Sequence, residues 1–249
     1  MQLIDTHCHI HSADYKLEAE EVYSRAIEAG VTKMICVGTD VGDSKLAVDF
    51  ANNHKEAFAS VGVHPHEAKH GIDGLKELAS QSKVVAVGEI GLDYFYEHSD
   101  RKTQMDVFEQ QLQIAADSNL PVIFHVREAF DDFWPIVEKF PNIKGVLHSF
   151  TDSQENAEKA IEKGFLIGIN GIATFTKDEA QKAVYASLPI ERIILETDSP
   201  YLTPVPYRGK LNEPVFVREV ARYLSTVRST SVDELALQTT RNATNLFHI

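Results

Sequence analysis

Residues 84–89, Val84-Val85-Ala86-Val87-Gly88-Glu89, are four consecutive apolar residues followed by a glycine and a carboxylate. A strand with one solvated face alternates apolar and polar side chains. An unbroken apolar run instead suits a strand covered on both faces, as in a parallel sheet packed under crossover helices. Ile193-Ile194-Leu195 has the same character. Working outward, comparable short runs at residues 3–6, 33–37, 57–63, 122–125, 145–148 and 165–169 join residues 84–89 and 192–196 as eight expected strands. Helical patterns lie between them. The clearest is Met105, Phe108, Leu112 and Ala115/Ala116, whose three- and four-residue spacing makes one apolar stripe. Other helices are expected near residues 17–29, 45–53, 73–81, 129–140, 153–163 and 177–187, with two more near 213–226 and 232–247. Strands alternating with helices from end to end predict an α/β chain closed into a (β/α)8 barrel rather than an open doubly wound sheet. The 249 residues match the length of one such barrel, so a single domain over residues 1–249 is expected.

The composition agrees with an ordinary globular protein: 43% hydrophobic and 24% charged residues leave room for a large core. The two cysteines, Cys8 and Cys36, form no Cys-x-x-Cys pair and no disulfide framework, which points to a reducing compartment. The chain starts without a basic, apolar leader and carries no long apolar span, so a cytoplasmic protein is expected, with no membrane role and no obligate protein partner. Twenty-four Lys and Arg against 37 Asp and Glu give a net charge of −13, unsuited to coating duplex nucleic acid. A small cationic site is still compatible with that charge, because divalent metals in a cleft supply positive charge that a count of side chains omits. Residues 201–214, rich in Pro and Gly, form a long loop of the kind that carries function.

The chemistry gathers where strands end. In Asp5-Thr6-His7-Cys8-His9 the alternation of an extended chain turns His7 and His9 to one side and Cys8 to the other, so two imidazoles can hold one cation. An isolated His-x-His is more simply a packed, hydrogen-bonded pair. Here, however, Glu89, His125 and His148 close three other apolar runs, and Asp198 follows the last. In a barrel all of these ends face the one mouth on which such enzymes build their sites. Four histidines and two carboxylates, His7, His9, Glu89, His125, His148 and Asp198, make a ligand set for Zn2+, Mn2+ or Mg2+ with positions left for water.

The motifs DTHCH (5–9), GVHPH (62–66), GEIGLDY (88–94), FHVRE (124–128), LHSF (147–150), ETDSPYLTP (196–204) and RGKLNEP (208–214) resemble, in order, those of the TatD family of metal-dependent hydrolases. The tail near residues 242–247 shares the likeness, which therefore covers nearly the whole chain. The resemblance implies a distorted TIM barrel with a binuclear centre and deoxyribonuclease activity. By analogy His7, His9 and Asp198 hold the first metal, His125 and His148 the second, and Glu89 bridges both. Some family members lack the His-x-His pair; its presence here favours occupancy of both sites.

Around this set, His64 is expected to contact a substrate phosphate or leaving group, while His66 and His70 lie further out in solvent. Arg127, two residues beyond His125, is expected at a phosphate oxygen, with a salt bridge to Glu128 or Asp131 as the alternative. Arg208 and Lys210 in the Pro-rich loop are either phosphate contacts, if that loop folds over the mouth, or an ordinary solvated charge pair. Tyr94, Phe95 and Tyr96 either stack bases or pack on neighbouring loops. Glu196, Asp93 and Asp5 either orient a ligating imidazole or sit in buried hydrogen bonds. In the mechanism this predicts, two divalent cations activate a water, Asp198 is the general base, and a DNA phosphodiester is cut from a single-stranded end. The same metals would serve an amide or carboxylic-ester hydrolase, an aminoacyl-tRNA ester included. The cationic set His64, Arg127, Arg208 and Lys210 favours phosphate. A non-enzymatic metal scaffold fits poorly, because structural zinc sites are closed and usually rich in cysteine.

Overall fold

The valine-rich run at 84–87 forms a strand buried along its whole length, β4 (Val84–Asp93), as apolar cover on both faces requires. The computed structural model describes residues 1–249. Its other strands are β1 (Leu3–Cys8), β2 (Val31–Val37), β3 (Ala57–Val61), β5 (Val122–Arg127), β6 (Gly145–Leu147), β7 (Leu166–Ile169) and β8 (Ile193–Leu195). They form one eight-stranded sheet in the order β1 to β8. The helices are α1 (Ala19–Glu28), α2 (Val41–Asn53), α3 (Leu75–Ala79), α4 (Arg101–Ser118), α5 (Phe130–Val137), α6 (Gln154–Glu162), α7 (Ile172–Phe175), α8 (Glu179–Ser187), α9 (Val217–Val227) and α10 (Val232–Phe247). No helix is long and apolar enough to cross a membrane. The chain divides into two compact units: residues 1–35 with 149–249, and residues 36–148.

In the first unit the two ends of the strand order are tied together. Thr6 Oγ1 donates to the Leu195 carbonyl at 3.0 Å, Asp198 N to His7 O at 2.8 Å, and His9 N to Ser199 O at 2.8 Å. The fully buried Asp5 carboxylate accepts from Thr197 N (2.9 Å) and Thr197 Oγ1 (2.6 Å). A parallel sheet whose first and last strands are joined is a (β/α)8 barrel, as the strand count predicts. Beside this seam α9 buries Val217, Val220, Ala221 and Leu224, an i, i+3, i+4, i+7 stripe. From α10, Asn242 Nδ2 donates to the carbonyls of Ile190 and Ile193, both at 2.8 Å, and so holds the entry to β8.

In the second unit β3, β4, β5 and β6 pair in parallel. The rings of Phe108 on α4, Phe124 on β5 and Phe133 on α5 meet at 5.2–6.2 Å between centroids and fill the space between helix and sheet. The β4–β5 register shifts between Val87 and Ile90, and beyond the shift Gly91 pairs with His125. Gly91 has φ 148°, and a Cβ there would stand 1.9 Å from the His125 carbonyl, so only glycine lets these strands approach.

Three expectations of the sequence need correction. β4 runs on to Asp93, which places Glu89 in mid-strand rather than at an end, because pairing resumes after the irregularity. β3 stops at Val61, and residues 65–70 form a 3-10 turn that draws His64 and His66 inward. The four-residue α7 was not anticipated, and α3 is a single turn where nine residues were expected.

Candidate metal centre

Each unit presents its own group of donors. In the first, the extended end of β1 turns His7 and His9 to one side as the alternation predicts, and their Nε2 atoms lie 3.2 Å apart. Asp198 Oδ1 completes a triangle, 3.3 Å from His9 Nε2 and 3.6 Å from His7 Nε2. Donors bonded to one tetrahedral cation at about 2.0–2.1 Å stand about 3.3–3.4 Å from each other, so this triangle fits a divalent ion in spacing as well as in chemistry. Asp198 reaches it from a left-handed backbone (φ 57°), a region that aspartate enters more readily than most non-glycine residues. The hydrogen bond donated by Asp198 N to His7 O fixes that turn against β1.

Behind the triangle, Glu196 accepts the Ser149 amide at 2.5 Å, and Asp5 is occupied by Thr197 and the His7 amide. Burial raises the Asp5 carboxyl well above the ordinary aspartate value, against the lowering effect of those hydrogen bonds. Asp5 thus holds the seam rather than an imidazole. Arg208 lies in the same unit. Its guanidinium donates to Thr203 O at 2.7 Å and covers the Phe175 ring at 3.8 Å, so it braces the Pro-rich loop. Lys210 lies over Tyr207.

In the second unit Glu89 is the hub. Its Oε1 is 2.7 Å from His125 Nδ1, 2.7 Å from His148 Nε2 and 3.6 Å from His64 Nε2. His64, Glu89 and His125 offer donor atoms that all lie within 4.8 Å of one another, a second cluster able to hold a metal ion. The other nitrogen of His125 meets Asp93 Oδ2 at 3.0 Å, an arrangement that leaves Nδ1 to face a cation. Burial disfavours charge on His125, yet the bonds to Asp93 and Glu89 prevail and raise its pKa. Burial likewise works against the Asp93 carboxylate, but bonds from His125 and His66 hold its pKa far below the usual range. His64 goes the other way: burial first, then the neighbouring His125, pushes its pKa well below that of free histidine. Because His64 Nδ1 accepts the His66 amide, the proton of the neutral ring belongs on Nε2, facing Glu89.

His66 was expected in solvent, but its Nε2 lies 3.0 Å from Asp93, because the 3-10 turn folds it back. His70 is exposed as expected, beside Glu67. Arg127 pairs with neither Glu128 nor Asp131 in any contact resolved; its guanidinium lies over the rings of Phe95 (4.0 Å) and Tyr96 (4.8 Å). Tyr94 instead donates to Asp132 at 2.7 Å. Two supporting residues escaped the sequence reading. Gln104 clasps Asp93 N and O, and Gln111 clasps Val63 N and O, both from α4. Their signal was present, since polar residues 104 and 111 share the face of the apolar stripe at 108 and 115.

The family model for TatD related DNase matches residues 4–248. The chain is 38% identical over 256 aligned positions to the metal-dependent hydrolase YcfH of Escherichia coli K12, covering all of this chain and 97% of that one. It is 34% identical to the 3'-5' ssDNA/RNA exonuclease TatD of Erwinia tasmaniensis, with 99% of this chain and 100% of the relative aligned. Among solved structures it superposes on YjjV, a TatD homologue from Escherichia coli K12, with TM-score 0.91 and 31% identity over 99% and 98% of the two chains.

Proposed function

Since the chain belongs to the TatD-related DNase family of metal-dependent hydrolases, we propose that it is a binuclear phosphodiesterase that cuts DNA from single-stranded ends. The observation that carries this reading is the donor triangle of His7, His9 and Asp198, whose spacing suits one divalent cation. In this reading His7, His9 and Asp198 hold one ion, His125 and His148 hold the other, and Glu89 serves both. Zn2+, Mg2+ and Mn2+ all suit such nitrogen and carboxylate donors. The whole chain, residues 1–249, acts as one hydrolase domain, in keeping with a family match that runs from residue 4 to 248. A cytoplasmic setting suits Cys8 and Cys36, both buried and unbridged.

When bound, the cations lower the pKa of a water toward neutrality and offset charge on the phosphate. Asp198 takes the proton of the attacking water and returns it to the leaving oxygen, from a turn that its backbone amide fixes against His7 O. Neutral His64, whose Nε2 proton faces Glu89 in the free protein, would turn that donor to a non-bridging oxygen of the substrate. Arg127 faces phosphate from the rings that hold it, and Arg208 contributes by bracing the loop or by reaching a more distant phosphate.

The test is turnover of a labelled single-stranded oligonucleotide by purified protein whose metal content has been measured. Chelation should abolish cleavage, and Mg2+, Mn2+ or Zn2+ should restore it. Asp198→Asn should fold normally and lose roughly 10²–10⁴-fold in rate. Full activity of metal-stripped Asp198→Asn would overturn the proposal, and cleavage of amide or carboxylic-ester substrates alone would transfer the site to that chemistry.

A further inference from the structure

An acidic chain that takes a polyanion needs affinity from something other than net charge, because the electrostatic attraction that drives most nucleic-acid binding is opposed here by a charge of −13. The turn after β4 carries a feature of that kind. Phe95 and Tyr96 are each 51% exposed, although large aromatic side chains are usually covered. Their rings stand edge to face at 4.7 Å and hold the Arg127 guanidinium at 4.0 and 4.8 Å. Tyr96 is backed by His98, stacked at 5.8 Å, and by the edge of His66 at 5.5 Å. Two ring faces and a planar cation are thereby fixed in place before any ligand arrives.

One carboxylate fastens this turn to the metal ligands. Asp93 Oδ1 accepts the amides of Phe95 and Tyr96, both at 3.0 Å, while Oδ2 meets His66 and His125, also at 3.0 Å. The aromatic pair is therefore positioned from the same side chain that orients His125, only two residues before Arg127.

We infer that Phe95, Tyr96 and Arg127 form a stacking subsite for one nucleobase of a single-stranded substrate. The base lies on the aromatic pair, and the guanidinium, already ordered by the rings, faces the phosphate joined to that nucleotide. The inference rests on the phosphodiesterase reading and extends it, since stacking tolerates any base but requires an unpaired one.

The experiment compares two substrates on the metal-loaded full chain: a single-stranded oligonucleotide, and the same strand with an abasic terminal nucleotide. Phe95→Ala and Tyr96→Ala should each raise KM for the first about tenfold or more while leaving kcat nearly as it was. The abasic substrate should start at the higher KM and be little changed by either substitution. Phe95→Leu and Tyr96→Leu keep apolar bulk without the π face and should behave like the alanine variants, which separates stacking from loss of folding. Equal KM for both substrates in the parent, or parental KM in all four variants, would overturn the subsite and leave the nuclease reading standing. If no oligonucleotide is cut, the nuclease reading fails, and calorimetric titration with deoxyadenosine 5'-monophosphate and deoxyribose 5-phosphate decides the subsite alone. A preference for the nucleotide that disappears in Phe95→Leu supports it, and equal binding of the two ligands overturns it.

Discussion

The two donor groups solve the same problem differently. In the first unit His7, His9 and Asp198 come from strand β1 and from a left-handed turn after β8, and their spacing is set by backbone bonds across the seam. In the second unit spacing is set by side chains: Glu89 meets His125, His148 and His64, and Asp93 grips His125 from behind. Backbone placement fixes where the donors stand through main-chain bonds between β1 and the turn after β8. Side-chain placement gives a network in which protons and cations compete for the same carboxylates.

The largest effect expected from this contrast is at Glu89. Glu89→Gln removes the charge that all three imidazoles face, and activity should fall on the order of 10³-fold or more with loss of bound metal, read by elemental analysis beside turnover. A variant that kept its metal and its rate would end the view of Glu89 as the hub. Next comes Asp93→Asn, which should weaken metal binding about 10–100-fold and leave the triangle of the first unit loaded. Titration with one and then two equivalents of metal distinguishes that outcome from loss of both sites.

The network also sets a pH dependence in protein stripped of metal. His125 has a raised pKa in the fold, so its contribution is full below its unfolded value of about 6.5 and is lost as pH rises through the raised value. His64 has a lowered pKa, so its contribution is full above about 6.5 and is lost as pH falls. The contributions of these two histidines therefore coincide near pH 6.5, where the thermal midpoint of the stripped protein should peak. Added metal should displace that maximum upward, because ligating imidazoles must be deprotonated. An unmoved maximum would mean that neither residue faces the ion. The smallest change is expected at Arg208→Ala. A guanidinium already committed to Thr203 and Phe175 should alter KM only a few-fold, and a tenfold or greater rise would restore it as a direct phosphate contact.

How much of this was legible in the sequence follows from the range of the forces involved. The strands could be read because burial on both faces demands apolar runs, as at 84–87 and 193–195. The His7–His9 pair could be read because alternation along a strand is local geometry. The position of Glu89 within β4 could not, since it depends on a register shift against β5 that no spacing encodes. Asp93 is legible as a residue that could orient a ligating imidazole, but its partners are not, since His66 and His125 are 27 and 32 residues away. The contact of Arg127 with Phe95 and Tyr96 is not legible in the sequence, because cation–π contacts leave no charge pattern to find.

The seam between β1 and the residues after β8 has a consequence for the making of the protein. Asp5 and Thr197 are 192 residues apart, and the bonds from Asp198 N to His7 O and from His9 N to Ser199 O span almost the same separation. On the ribosome the histidines of that triangle emerge early and wait for their carboxylate until about four-fifths of the chain has been made. A nascent chain therefore carries no complete first site, and a DNA-cutting centre of the proposed kind cannot switch on until synthesis is nearly finished.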